Sequence, residues 1–286
     1  MKKLSYYLNQ AKKNHWAIGQ FNFCTLEQLR GILAAAKELK SPVIVGTSEG
    51  EVKYLGMEET VALVEISKSK YGISSAFLNL DHGKDPEEIK KAVDLGYSSV
   101  HFDGSGLLMK DNIRISKKLA EYAHKKGVLF EGEIGAVKGD SAIHKEKIII
   151  DKSDLATPED TSKYLKETKA DSLAVAIGTI HGIYPEKKKI NFDLLKNINE
   201  KAKAFLVLHG GSDIDKDDIK RAINTGISKI NINTELRALW RKALEESLER
   251  NKGDVKPYKI MPYVEELIKN KVKEKINLFA SSGKIS

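Results

Sequence analysis

Short apolar runs alternate with longer amphipathic stretches along the whole chain. Eight runs read as buried strands: "AIGQFNF" (17–23), "PVIVGTS" (42–48), "AFLNLDH" (76–82), "SVHFDGS" (99–105), "VLFEGEIG" (128–135), "SLAVAIG" (172–178), "FLVLHGG" (205–211) and "KININ" (229–233). Between them, stretches such as "TLEQLRGILAAAKELK", "MEETVALVEISKSKYG", "DPEEIKKAVDLG" and "NIRISKKLAEYAHKKG" carry apolar residues at helical spacing, and several end in Lys-Gly or Leu-Gly, as helix C-caps do. Asp85-Pro86-Glu87 opens one helix and "TPED" (157–160) another. Eight strands, each followed by a helix, is the count of a closed barrel. An open doubly wound sheet usually has fewer strands and a glycine-rich fingerprint after the first, and no G-x-G-x-x-G or P-loop follows any run here. The predicted fold is therefore α/β, a (β/α)8 TIM barrel forming a single domain over residues 1–286, with extra C-terminal helices at about 234–250 and 262–278 that pack outside the barrel or onto a partner. Residues 136–156 are the longest break in the pattern and are predicted to form a mobile loop over the active site.

Composition narrows the function classes. With 41% hydrophobic and 31% charged residues the chain is globular, with ample apolar material for one core. The lone cysteine, Cys24, excludes an intrachain disulfide, so the expected compartment is the cytoplasm. The opening "MKKLSYYLNQAKKNHWAIG" lacks the apolar core of a signal peptide, and no run is long enough to span a membrane. The net charge of +8 comes mostly from lysines spread over helix faces; with no zinc-finger spacing and no basic–aromatic stripe, nucleic acid is not an expected partner.

Chemistry enters at the C-terminal ends of the strands, where the loops of such a barrel converge over one mouth. Asn22, Ser48, Asp81-His82-Gly83, Asp103, Glu131 with Glu133, His181-Gly182, His209-Gly210-Gly211-Ser212, and Asn231, Asn233 and Thr234 all fall at or near those ends. His-Gly occurs three times among seven histidines. Three neutral imidazoles meeting at one mouth would form a catalytic zinc set with a coordination position left open. Asp81 reads either as an acceptor that orients an imidazole or as a general acid/base. Glu131 and Glu133, two apart on a strand, share a face, so two carboxylates directed into the barrel need protonation, a lysine or a cation. With Asp103 nearby, a second or alternative metal position follows. Gly210 and Gly211 let backbone N–H groups approach an anion, Ser212 adds a hydroxyl, and strand 8 delivers Asn231 and Thr234 beside them, which suits a phosphate. His101 reads as a satisfied interior histidine, His15, His124 and His144 as surface residues, and Cys24 as a small buried hydrophobe.

The motifs "LDHG", "FDGS", "EGEIG", "LAVAIGTIHGIY", "VLHGGSD" and "KININTEL" together resemble those of the class II, metal-dependent fructose-bisphosphate and tagatose-bisphosphate aldolases, from about Asn22 to the C-terminal helices. The resemblance implies a lyase of glycolysis and gluconeogenesis acting on a sugar bisphosphate, one catalytic Zn2+, room for a monovalent cation, and a homodimer or larger homo-oligomer. It implies that His82, His181 and His209 hold the zinc, that Asp81 is the acid/base, and that Asp103 and Glu133 mark the alternative metal position. It further assigns Gly182, Gly210, Gly211, Ser212, Asn231 and Thr234 to the dihydroxyacetone-phosphate end, and Asn22, Ser48 and Asn233 to the substrate's surroundings. Asn233 stands where fructose-type members commonly carry Asp or Asn and tagatose-type members Ala.

Two departures stand out. The loop reads "GAVKGDSAIHKE" where the family has Gly-Gly followed by acidic residues, leaving Asp140 and Glu146 as the acids available to protonate an enediolate. Tyr258 replaces an arginine expected at the far phosphate, with Lys256 and Lys259 flanking it. The rival readings are a tagatose-bisphosphate or other ketose-phosphate aldolase, a Schiff-base aldolase, and a non-catalytic sugar-phosphate-binding protein. The Schiff-base reading needs a desolvated lysine in the barrel, where strand 6 offers none and Lys229 falls at the wrong end of strand 8.

Overall fold

The computed structural model describes residues 2–146 and 148–285, and in it eight parallel strands close into a barrel in chain order. They are β1 (Ile18–Asn22), β2 (Val43–Ser48), β3 (Ala76–Gly83), β4 (Ser99–Phe102), β5 (Leu129–Ile134), β6 (Ser172–Val175), β7 (Phe205–Leu208) and β8 (Ile227–Ile232). Each predicted run overlaps its strand, although β6 stops at Val175 and β8 begins earlier, at Ile227. Closure is direct, with β1 pairing β8 so that Gln20 lies beside Asn231.

Side-chain alternation makes two interiors. On β5, Phe130 and Ile134 face outward into the main core between sheet and helices, while Glu131 and Glu133 point into the lumen. The surrounding helices are α2 (Leu26–Glu38), α3 (Glu49–Leu55), α4 (Met57–Tyr71), α5 (Pro86–Asp94), α6 (Met109–Lys125), α7 (Pro158–Thr168), α8 (Phe192–Lys201) and α9 (Lys216–Asn224). Their starts follow local chemistry: Thr25 and Gln28 form a reciprocal capping box on α2, and Asp85 and Thr157 cap α5 and α7 just ahead of a proline.

A helix the sequence reading did not resolve, α1 (Leu4–Lys13), closes the far end of the barrel. Leu4, Tyr7, Leu8 and Ala11 form one apolar stripe that packs with Trp16, Ile18, Ile44 and Phe77 in a second, separate core. At the other terminus α10 (Thr234–Arg250) matches expectation, but α11 (Pro257–Leu278) starts before the expected 262. Pro257 is the proline that opens it and Pro262 lies within it. The reason is a stripe at every fourth residue, Ile260, Val264, Ile268, Val272 and Ile276, whose burial begins ahead of Pro262. That stripe crosses α2 at Gly31, where any side chain would run into Ile268 and the Glu265 carbonyl. The lumen polar groups thus sit between an apolar plug below and an open mouth above.

Candidate active site

In a regular strand Asp81 and His82 would face opposite sides of the sheet. The pairing of β3 with β4 shifts register between Leu80 and Gly83, and His82 adopts a left-handed backbone with φ of 51°. This irregularity turns both adjacent side chains toward the lumen, which a smooth strand cannot do.

His82 then meets the histidines from the loop after β6 and from the end of β7. Its ring centroid lies 4.7 Å from that of His181 and 4.6 Å from that of His209, with His181 and His209 5.8 Å apart. Each ring is oriented through its other nitrogen. His82 Nδ1 lies 3.1 Å from Asp103 Oδ2, His209 Nε2 lies 3.1 Å from Glu131 Oε1, and His181 Nδ1 lies 3.1 Å from the Val137 carbonyl. With those nitrogens turned to their acceptors, His82 Nε2 and His209 Nδ1 face each other at 2.9 Å, the two ring nitrogens left to share a proton or a cation. A divalent cation suits such a meeting of imidazoles; among the described residues the ligand atoms within 4.8 Å of one another are those of Asp81, His82, His101 and His209, a group that His181 borders without joining. Burial, reinforced by the neighbouring imidazoles, holds His181 well below its ordinary pKa, keeping it in the neutral ligating form.

The neighbouring carboxylates divide into two roles. Glu131 is tied by a 2.6 Å ion pair to Lys229, which is buried in the lumen, so the lysine partner demanded by the sequence is supplied by β8. Lys229 lies inside the barrel at the end away from the mouth, level with Ile18 at the start of β1, as expected, and it is consumed by this pair. Glu133 Oε2, by contrast, is buried with no hydrogen-bond partner among the described residues, and with His82 and Asp103 it forms a group that could hold a cation. His101 is a fourth imidazole in the cluster. Its Nδ1 accepts the His82 N–H at 3.0 Å and its Nε2 lies 3.3 Å from Glu133 Oε2.

Asp81 is held as a carboxylate. Burial opposes its charge, but His82 and the other imidazoles outweigh burial and keep its pKa well below the usual range. Amides from Asn22 (2.9 Å) and Asn231 (3.0 Å) donate to its two oxygens. Gly46 on β2 makes room for this arrangement, because a Cβ there would collide with the Asn22 and Gln20 side chains.

A pocket of about 170 Å³ opens over these groups, lined by Ser48, Asp81, His82, His181, Gly182, Gly210, Ser212, Asn231, Asn233 and Thr234, together with Ser141 and Arg237. Buried Asn231 Oδ1 and Asn233 Oδ1 have no partner among the described residues. Asn22 and His209 sit just beneath, whereas Gly211 packs against Ile230 and the Asn231 carbonyl.

Two residues escaped the sequence reading. Glu51 is buried and binds the Asn22 amide (3.1 Å), the Asn233 amide (3.3 Å), the Ser48 N–H (2.7 Å) and the Arg237 guanidinium (2.6 Å). Its signal was present in the Ser48-x-x-Glu51 capping box that starts α3. Arg237, one turn into α10, brings a cation to the rim; Tyr258, where an arginine was expected, is 72% exposed on the first turn of α11.

The segment 136–146 meets this mouth through Ser141, next to a bridge between Ile143 and Ile183. Asp140 and Glu146 are both exposed, and it is Ser141 that lines the pocket. His144, expected on the surface, is half-buried, stacks on Tyr184 at 4.5 Å and pairs with Asp140 at 2.8 Å. Cys24 is also only half-buried.

Known proteins share this architecture and sequence. A fructose-bisphosphate aldolase of Geobacillus stearothermophilus is 39% identical over 279 residues, covering 97% of this chain and 96% of its own. One from Staphylococcus aureus is 37% identical over the same length. Among solved structures, the YdjI aldolase from Escherichia coli K12 superposes with a TM-score of 0.86 at 32% identity, covering 99% of both chains. The fructose-bisphosphate aldolase of Campylobacter jejuni, at 22% identity, shares the fold with a TM-score of 0.83 over 98% of this chain and 94% of its own. The family profile described as "Fructose-bisphosphate aldolase class-II" matches residues 2–284, and the chain belongs to that family of lyases.

Proposed function

We propose that the chain reversibly cleaves fructose 1,6-bisphosphate to dihydroxyacetone phosphate and glyceraldehyde 3-phosphate, with Zn2+ held by His82, His181 and His209. The observation that carries this reading is the meeting of His82 Nε2 and His209 Nδ1 at 2.9 Å, with His181 beside them, over the buried carboxylate of Asp81. A zinc ion so held supplies the Lewis acidity that lets the three-carbon phosphate fragment bear negative charge as the C3–C4 bond breaks. Asp81 takes the C4 hydroxyl proton as the aldehyde leaves, while the Asn22 and Asn231 amides fix the carboxylate's orientation. A proton delivered to C3 by Asp140 or Glu146 of the loop completes dihydroxyacetone phosphate. The orphan Asn231 and Asn233 oxygens suit sugar hydroxyl donors, and Ser48 faces the same pocket. Gly182, the Gly210–Ser212 turn and Thr234 seat the ketone-end phosphate. Arg237 answers the far phosphate in place of the missing arginine. Asp103 and Glu133, with His82, would form an alternative position for the metal. The loop 136–156 opens and closes over the mouth to admit substrate and exclude water.

The enzyme is further proposed to act in the cytoplasm, which its single unpaired cysteine suits, and as a homodimer or larger homo-oligomer. Metal analysis joined to a cleavage assay before and after EDTA tests the whole reading. One zinc per chain and activity abolished by EDTA and restored by Zn2+ are expected; activity that survives chelation and is trapped by borohydride would overturn it. Cleaving tagatose 1,6-bisphosphate faster than the fructose epimer would reassign the substrate but leave the mechanism in place.

A further inference from the structure

The turn assigned above to phosphate is held from behind by a lysine. Lys188, on the loop after β6, is 6% exposed, and its ammonium donates to the Gly210 carbonyl at 3.0 Å and the Ser212 carbonyl at 2.7 Å. Buried ammonium groups are ordinarily paired with carboxylates. The two acids whose charge bears on it are committed elsewhere: Asp213 lies 3.5 Å from Lys187, and Glu235 lies 2.7 Å from Lys275. Burial pushes Lys188 down to about 8, which leaves it charged at neutral pH. A cation held by backbone carbonyl oxygens is the coordination that K+ or NH4+ takes in proteins.

The geometry has a directional consequence. In a planar trans peptide the C=O and the following N–H point opposite ways, so fixing the Gly210 carbonyl on Lys188 turns the Gly211 N–H away from the lysine. No described residue accepts a hydrogen bond from the Gly211 or Ser212 N–H. On the far side of the turn the Asp213 N–H is held by Glu235 Oε1 at 2.7 Å, so the Ser212–Asp213 peptide is clamped at both ends.

We propose that Lys188 is a built-in monovalent cation, a positioning residue that locks the Gly210–Ser212 turn in its anion-binding form and places fixed positive charge behind the phosphate. The proposal rests on the reading that this turn seats phosphate. The place a free monovalent ion would take at these two carbonyls is filled by the chain itself, so the enzyme needs no such ion there.

The test uses the full-length, zinc-loaded protein and calorimetric binding of dihydroxyacetone phosphate, alongside cleavage kinetics. Ser212→Ala serves as the control on the seat, and Lys188→Ala and Lys188→Gln test the cation. The wild type should bind and turn over equally well when Na+ and K+ are replaced by tetramethylammonium. Lys188→Ala should weaken binding roughly ten-fold and raise KM far more than it lowers kcat, as expected for a lost charge-assisted donor. Added NH4+ or K+ should restore much of that loss. Lys188→Gln, which keeps a donor without charge, should bind several-fold more weakly than wild type, and it decides the matter if Lys188→Ala does not fold. If Ser212→Ala weakens binding while both lysine variants bind as wild type, the proposal is overturned and the seat stands. A weakened Lys188→Ala that ignores NH4+ and K+, with Lys188→Gln equal to wild type, also overturns it. Normal binding in all three variants would instead remove the phosphate seat itself.

Discussion

The Lys229–Glu131 pair permits a worked prediction for Lys229→Met. Both side chains are 2% exposed and their charges lie 2.6 Å apart. At an effective dielectric of about 20, that separation gives roughly 6 kcal/mol of attraction, against a desolvation penalty of several kcal/mol for each ion. The intact pair therefore contributes little net stability, but either member left alone is expensive. Methionine fills the lysine's volume and strands Glu131 with only His209 and a long contact to Ser172 at 3.4 Å. The expected loss is about 3–5 kcal/mol, a fall in melting temperature on the order of 10 °C for a chain of this size. Because Glu131 aims His209, zinc affinity should also fall by about 10- to 100-fold. The double variant Lys229→Met/Glu131→Gln removes both charges and should recover most of the stability, though not the zinc affinity. Thermal unfolding followed by circular dichroism, with zinc competition titrations on the same samples, measures both. If the double variant is as unstable as the sum of the singles, the reasoning that an uncompensated charge causes the loss is refuted.

Further outcomes follow from the same geometry. Asp81→Asn should lower kcat by about 10²- to 10⁴-fold while zinc content stays at the wild-type level, read by steady-state kinetics and metal analysis. His82→Ala or His209→Ala should abolish stoichiometric zinc binding, whereas His144→Ala should not, as elemental analysis of purified protein would show. Gly46→Ala should cost about 1–3 kcal/mol and reduce kcat, because the added methyl displaces the Asn22 amide from Asp81; a denaturation midpoint and an assay check both. Arg237→Met should raise KM for a ketose bisphosphate well beyond its effect on a ketose 1-phosphate, and an equal effect on the two would remove Arg237 from the far phosphate.

The barrel was legible because its strands are buried on both faces and its helices carry periodic stripes and capping residues, so Asp85 and Thr157 announced their helices directly. The convergence of His82, His181 and His209 on one mouth was legible from their places at or after strand ends. His101, expected to be a satisfied interior residue, instead has a buried Nε2 without a hydrogen-bond partner among the described residues and groups with Asp81, His82 and His209. What the sequence concealed depends on backbone departures and on contacts distant in the chain. Nothing in "LNLDHG" declares that His82 takes a left-handed conformation, although its ability to share a face with Asp81 rests on it. Glu51 and Arg237 are 186 residues apart, and neither looks functional until the mouth closes around both. α11 starts ahead of the expected 262 because its buried stripe already includes Ile260, a contact with distant elements that the local sequence does not declare.

The left-handed backbone at His82 bears on how such a protein would drift if selection for turnover lapsed. Holding a histidine there costs about 1–3 kcal/mol that a glycine would not incur. Substitution to glycine would therefore relax the backbone while discarding an imidazole. A duplicate freed from metabolic duty has a downhill route from lyase to inert sugar-phosphate binder, and only demand for catalysis keeps the strained residue in place.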